Sequence, residues 1–223
     1  MVVGVCLGSG IAFATPSTQI WNPSTDIQGV KTVHLGIDDY ASVSANDTKP
    51  YHTATDVNLT YGVCKGLEVG VDIFEPATDP YQFNAKYGIG EDKGMPAVAV
   101  GIMNAGTKKD VTDYNIMYAV VAKTFGSLPR LSVGYYMGND KLLLDDNGNK
   151  ANTGAIVSLD KQLSEKWWAS IDCATGNSWY GETSAGFSYL FAPNTSVIFG
   201  YVVYNNSTLN PNNQFTTQLD INF

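Results

Sequence analysis

The carboxylates Asp38, Asp56, Glu68, Asp72, Asp160, Asp172, Glu182 and Asp220 stand at the polar positions of runs in which apolar and polar residues alternate. Lys86, Lys123 and His34 occupy the same kind of position. Alternation with period two marks a strand, whose successive side chains point to opposite faces. The acids would therefore share the polar side of a sheet and outnumber the bases there. Such a surface concentrates cations and repels anions. The same groups lack the spacing of a catalytic or metal centre. His34 and His52 are the two histidines of the chain, too few for an imidazole-based metal site. Cys6, Cys64 and Cys173 lie far apart and give neither a disulfide framework nor a pair of metal ligands. No catalytic residue, metal or cofactor is expected.

Composition says what kind of sheet this is. Of the 223 residues only 15% are charged, and 12% are aromatic, with 22 Gly and 13 Tyr. A soluble domain is usually about a quarter charged. Mean hydropathy is nevertheless -0.08, and no stretch approaches the roughly 18 consecutive apolar residues of a helical membrane span. Few charges without long apolar runs is the composition of a membrane barrel, where every second residue faces lipid. The net charge of -8 without a cluster of Lys and Arg argues against nucleic acid, whose phosphates require a concentrated basic face.

From residue 30 onward the alternation recurs in twelve segments, mostly of about ten residues, the length that a tilted strand needs to cross a bilayer. Tight turns follow the even-numbered segments and generally looser loops the odd ones, the longest being residues 138–153. The fifth segment, residues 96–104, is apolar on both faces, so its orientation stays open. In the sixth, Tyr114, Ile116, Tyr118, Val120 and Ala122 are taken as outward, with Asn115, Met117 and Lys123 inward. The last segment alternates without a slip: Phe215, Thr217, Leu219, Ile221 and Phe223 on one face, Thr216, Gln218, Asp220 and Asn222 on the other.

A terminal strand of this pattern closing on Phe resembles the assembly signal of bacterial outer-membrane β-barrels, with Phe215, Leu219, Ile221 and Phe223 as the residues that carry it. The resemblance covers residues 30–223 and implies an all-β fold, a closed antiparallel up-and-down transmembrane barrel of 12 strands. It also implies recognition of the C-terminal strand by the barrel assembly machinery, outer-membrane lipid as the surroundings, and both termini on the periplasmic side. Aromatics at the ends of the outward faces agree with it, because their amphipathic rings favour the two membrane interfaces. Tyr61, Tyr87, Trp167, Tyr189 and Phe223 would mark the periplasmic one. Tyr51, Tyr81, Tyr114, Tyr135 and Phe215 would mark the outer one.

The polar face then becomes the lumen. Asp38, Asp56 and Asp72 fall on adjacent strands, with Asp220 beside them where the barrel closes, and Asp172 and Glu182 would lie across from this wall. Lys86 and Lys123 are the inward bases; the carboxylates either form a field for cations or pair with these and with loop lysines. The function expected is a passive, porin-like channel for small solutes or ions that prefers cations. A non-conducting adhesin or structural barrel is the alternative, and a barrel enzyme a further one. Barrel phospholipases place His and Ser two apart on a strand, and omptin-type proteases pair His with an Asp two residues away. Here Thr32 and Gly36 flank His34, and Pro50 and Ala54 flank His52, so neither pattern is met. Ala169 and Cys173, small and outward, mark where a subunit contact would form in a homo-oligomer, with lipid as the default neighbour.

Two segments precede the barrel. Residues 1–14 end in Ala12, Phe13 and Ala14, an A-x-A cleavage pattern, and are expected to be a signal-peptide remnant without its basic start, the alternative being a buried first strand. Residues 15–29 hold two Pro and many Ser, Thr and Asn, which excludes a central strand. They form either a periplasmic lead-in or a segment folded into the barrel mouth, anchored by Trp21.

Overall fold

The computed structural model describes residues 17–43, 51–75, 77–92 and 94–223; the segment 1–14 with its cleavage pattern lies outside them. Twelve strands form, β1 (Val33–Ser42), β2 (Thr53–Cys64), β3 (Leu67–Glu75), β4 (Tyr81–Ile89), β5 (Ala97–Gly106), β6 (Asp113–Lys123), β7 (Arg130–Met137), β8 (Thr153–Gln162), β9 (Trp167–Ala174), β10 (Glu182–Ala192), β11 (Thr195–Tyr204) and β12 (Gln214–Asn222). Each pairs antiparallel with its chain neighbours, and β1 pairs with β12 to close the barrel. Closure removes every sheet edge and satisfies the backbone within the wall, which is what permits strands to cross lipid. At the seam the Val33 N–H donates to the Phe223 carbonyl at 3.1 Å, and the Phe223 N–H donates back to Val33 at 2.8 Å.

The two ends of the barrel differ. Short connections join β2 to β3, β4 to β5, β6 to β7, β8 to β9 and β10 to β11 at the end that carries the termini. The two-residue turn from β2 to β3 has Gly66 at φ +84, a left-handed conformation that glycine takes without a Cβ clash. The far end carries the three longest connections, β7 to β8, β1 to β2 and β11 to β12. Outside the wall, Val69, Phe83, Val100, Val133, Ile171 and Phe187 are all exposed. An apolar belt right around a barrel far exceeds the patches a soluble surface carries. The fold is a transmembrane β-barrel.

The interior has two zones, and one of them corrects the expected orientation of β6. Ile116, Tyr118, Val120 and Ala122 point inward and are buried, while Met117 and Val121 are exposed on the outside. Ile116, Tyr118 and Val120 join Tyr136, Ile156, Leu143 and Tyr180 in an apolar cluster inside the barrel. Packing against these side chains, rather than hydration of the lumen, sets the face of β6. Asn115 and Lys123 sit near opposite ends of this strand, where either face reaches water, so they do not report which face is inside.

Candidate functional site

Residues 17–28 lie inside the barrel. Thr18 bridges Pro23, the Ser24 N–H donates to the Ser17 carbonyl at 3.1 Å, and the Gln19 N–H donates to the Asn22 carbonyl at 2.8 Å, so the chain doubles back as a small hairpin. Its tip is held by Asp172 on β9. One carboxylate oxygen, Oδ2, accepts the N–H groups of Ile20 at 3.3 Å, Trp21 at 3.1 Å and Asn22 at 2.8 Å. Successive backbone N–H groups turned to one side form a concave nest for an anion; here a buried wall carboxylate fills it. Asn22 Nδ2 donates to Glu182 at 2.7 Å, and the Tyr180 hydroxyl donates to Asn22 Oδ1 at 3.0 Å. From β12, Gln218 donates to the Ile20 carbonyl at 2.8 Å.

The base of the hairpin is held by β3 and β4. Glu68 accepts from the Ser17 hydroxyl at 2.7 Å and from the Gln28 N–H at 2.6 Å, and it pairs with Lys86 at 3.2 Å. Lys86 in turn donates to the Ser17 carbonyl at 2.9 Å. Arg130 clamps the carboxylate of Asp26 through two bonds of 2.7 and 2.6 Å, and its Nε donates to Asp160 at 2.9 Å. Strands β3 and β9 lie six places apart in the ring of twelve, so the hairpin spans the lumen from wall to opposite wall.

The inward acids therefore fall into separate groups. Glu68, Asp160, Asp172 and Glu182 hold the hairpin. Asp220 contacts His34 Nε2 at 3.4 Å and accepts from Ser196 at 3.3 Å. Asp38, Asp56 and Asp72 remain on the adjacent strands β1, β2 and β3, with Asp38 directly opposite Asp56 in register and Asp72 accepting from Asn84 at 2.7 Å. Among the described residues no Lys or Arg pairs with any of the three. They border a cavity of about 620 Å³ that runs from Ser42, His52 and Gln214 at the far rim down to Ser17 and Trp21 of the hairpin.

Lys86 is in the lumen but committed to Glu68, whereas Lys123 is not a lumen residue. It shares the outward face of β6 and pairs with Glu91 at 2.8 Å on the rim. Of the outward aromatics, Tyr61, Tyr87, Trp167 and Phe223 are exposed at the end bearing the termini, and Tyr51, Tyr81, Tyr135 and Phe215 at the far end. Tyr189 is half-buried, its ring packed on Trp167 with centroids 4.6 Å apart. Tyr114 departs from its expected place with the rest of β6: it lines the cavity and meets Trp179 edge-on at 4.9 Å. Phe215, Leu219 and Ile221 lie on the outward face of β12. Sequence reasoning missed Arg130 and the aromatics Trp179 and Tyr180, while the alternation of its strand sets Gln82 on the polar face with Lys86. Arg130 stood at a polar position of its strand and was findable on that ground; the two aromatics belong to a connection, where no periodicity assigns a direction.

No protein-family model matches the chain, and no curated protein matches it. The barrel is similar to solved porins. The NanC porin is 13% identical, with 85% of this chain and 98% of that one covered and a TM-score of 0.52. The KdgM porin is 7% identical, with 86% and 98% covered and a TM-score of 0.54. The KdgM porin in complex with disordered oligogalacturonate gives 7% identity, the same coverage and a TM-score of 0.55. At these identities the likeness is one of fold.

Proposed function

We propose that this protein is a porin-like channel of a bacterial outer membrane, passing small solutes or ions passively and preferring cations. The observation that carries the reading is the open part of the lumen, where Asp38, Asp56 and Asp72 face a cavity with no basic partner among the described residues. A low-dielectric wall of one sign raises the local concentration of counter-ions. Oligogalacturonate, the ligand of one similar porin, is a polyanion that such a wall repels, so it is not carried over. Both termini would lie in the periplasm, with β12 read by the assembly machinery.

The test is conductance of the refolded protein in a planar bilayer, with the reversal potential measured under a salt gradient. Discrete steps with a cation-selective reversal are expected, and Asp38→Asn combined with Asp72→Asn should move the reversal toward zero. An anion-selective reversal would overturn the sign. A second reading, a non-conducting adhesin or structural barrel, is favoured by the hairpin that crosses the lumen. A folded barrel that gives no steps would decide for it.

A further inference from the structure

The cavity above the hairpin is more than an acidic passage, because a group of aromatic rings shares its lining with the polar side chains. Trp21 stands at the centre of this lining, its ring 5.5 Å from Tyr40 and 5.8 Å from Tyr204, both edge-on. Trp179 and Tyr180 lie 6.5 and 6.4 Å from it. Several polar atoms on the lining also make no hydrogen bond. Gln82 is only 7% exposed, and its Oε1 has no partner. The same holds for Oδ1 of Asp56, which is 8% exposed. Asp38 Oδ1 and the indole N–H groups of Trp21 and Trp179 are likewise unpartnered. Buried polar atoms are nearly always paired, and leaving one unpaired costs about 1–3 kcal/mol. Acceptors left unpaired on one wall and donors left unpaired among aromatics describe a site that its occupant completes.

Resting on the channel reading above, we infer that this cavity binds a small organic ammonium carrying a hydroxyl group. The carboxylates of Asp38, Asp56 and Asp72 supply charge for the ammonium, and the rings supply the face that a weakly hydrated cation prefers. Gln82 Oε1 and the indole N–H groups, unpaired on residues that line the same cavity, would serve the polar ends of the same molecule. A bare metal ion fits less well: among the described residues no group of His, Cys, Asp and Glu has metal-holding geometry. The cavity, at about 620 Å³, lies within the range of small-molecule sites.

Choline is a suitable probe, and 3,3-dimethyl-1-butanol is its uncharged counterpart of the same shape. Titration of each into the refolded protein in detergent, followed by calorimetry and tryptophan fluorescence, reads binding without requiring conduction. Saturable choline binding is expected, at least tenfold tighter than for the neutral alcohol. Asp56→Asn and Gln82→Leu should each weaken it, the first by tenfold or more. Asp39→Asn removes the same charge from the opposite face of β1, where Asp39 accepts from Thr55 at 2.5 Å, and should leave binding unchanged. Equal binding of choline and the alcohol would overturn the inference, as would displacement of choline by sodium at matched concentration. Cation-selective conductance without saturable choline binding would overturn it while leaving the channel reading intact. Choline binding to a barrel that does not conduct would uphold the site and overturn the channel.

Discussion

Inside this barrel single charges are fixed by several partners at once, and the Glu68–Lys86 pair shows what that implies. Both side chains are buried, at 5% and 2% exposure. Desolvation nearly cancels the attraction within such a pair, yet deleting one partner strands the other charge. Glu68→Gln should therefore destabilise the protein by about 3–5 kcal/mol, read as a shift in the denaturant midpoint in micelles. Replacing both, Glu68→Leu with Lys86→Met, should recover only part of that loss, because the Ser17 and Gln28 groups that the pair binds are then left unpaired. The existence of inward acids at these positions was legible in the sequence because parity alone marks them. Their division into holders of the hairpin and an open trio was not. That division depends on where residues 17–28 go, and a stretch rich in Ser, Thr, Asn and Pro carries no period from which a docking face can be read.

At the level of elements the hairpin and the loops behave differently. Asp172→Asn keeps the shape of the side chain but removes the charge from the nest of three N–H groups. Hydrogen bonds to a charged acceptor contribute about 1.5–3 kcal/mol each, so the tip should loosen. Larger single-channel steps and faster protease cleavage within residues 17–29 are expected, with the wall strands unaffected. At the far end, Lys141 in the β7–β8 connection donates to Asp110 in the β5–β6 connection at 2.9 Å. The Lys141 hydrogen bond holds the Asp110 carboxyl below its usual range. A depressed carboxylate favours the folded arrangement at pH above its unfolded value and loses that contribution as pH falls through the folded one. The contact between these two loops should thus weaken only in strong acid. An NMR titration of Asp110 checks this: its midpoint should lie below that of a free aspartate and rise toward it in Lys141→Met. Strand β6 marks the limit of the sequence at this scale. Ile116, Tyr118 and Val120 on one side and Met117, Ala119 and Val121 on the other are equally apolar. Only the neighbours that they pack against decide between the two.

For the whole molecule, the architecture was legible almost throughout, since a closed barrel repeats one signal at every strand. Twelve alternating runs, the unequal ends and the final strand, residues 214–222, all reappear in the structure with little more than shifted boundaries. What no strand pattern conveys is the content of the lumen, because filling depends on contacts between distant parts of the chain. One such contact bears on how the molecule comes into being. The hairpin precedes β1 in the chain yet is gripped by β3, β4, β9, β10 and β12. Entry through the mouth of a closed barrel would have to make all of these contacts at once, so seating before β1 and β12 join is the expected order. Formation of the individual strands should then be indifferent to residues 17–28, while the rate of the final zippering of β1 onto β12 should follow every change made to them.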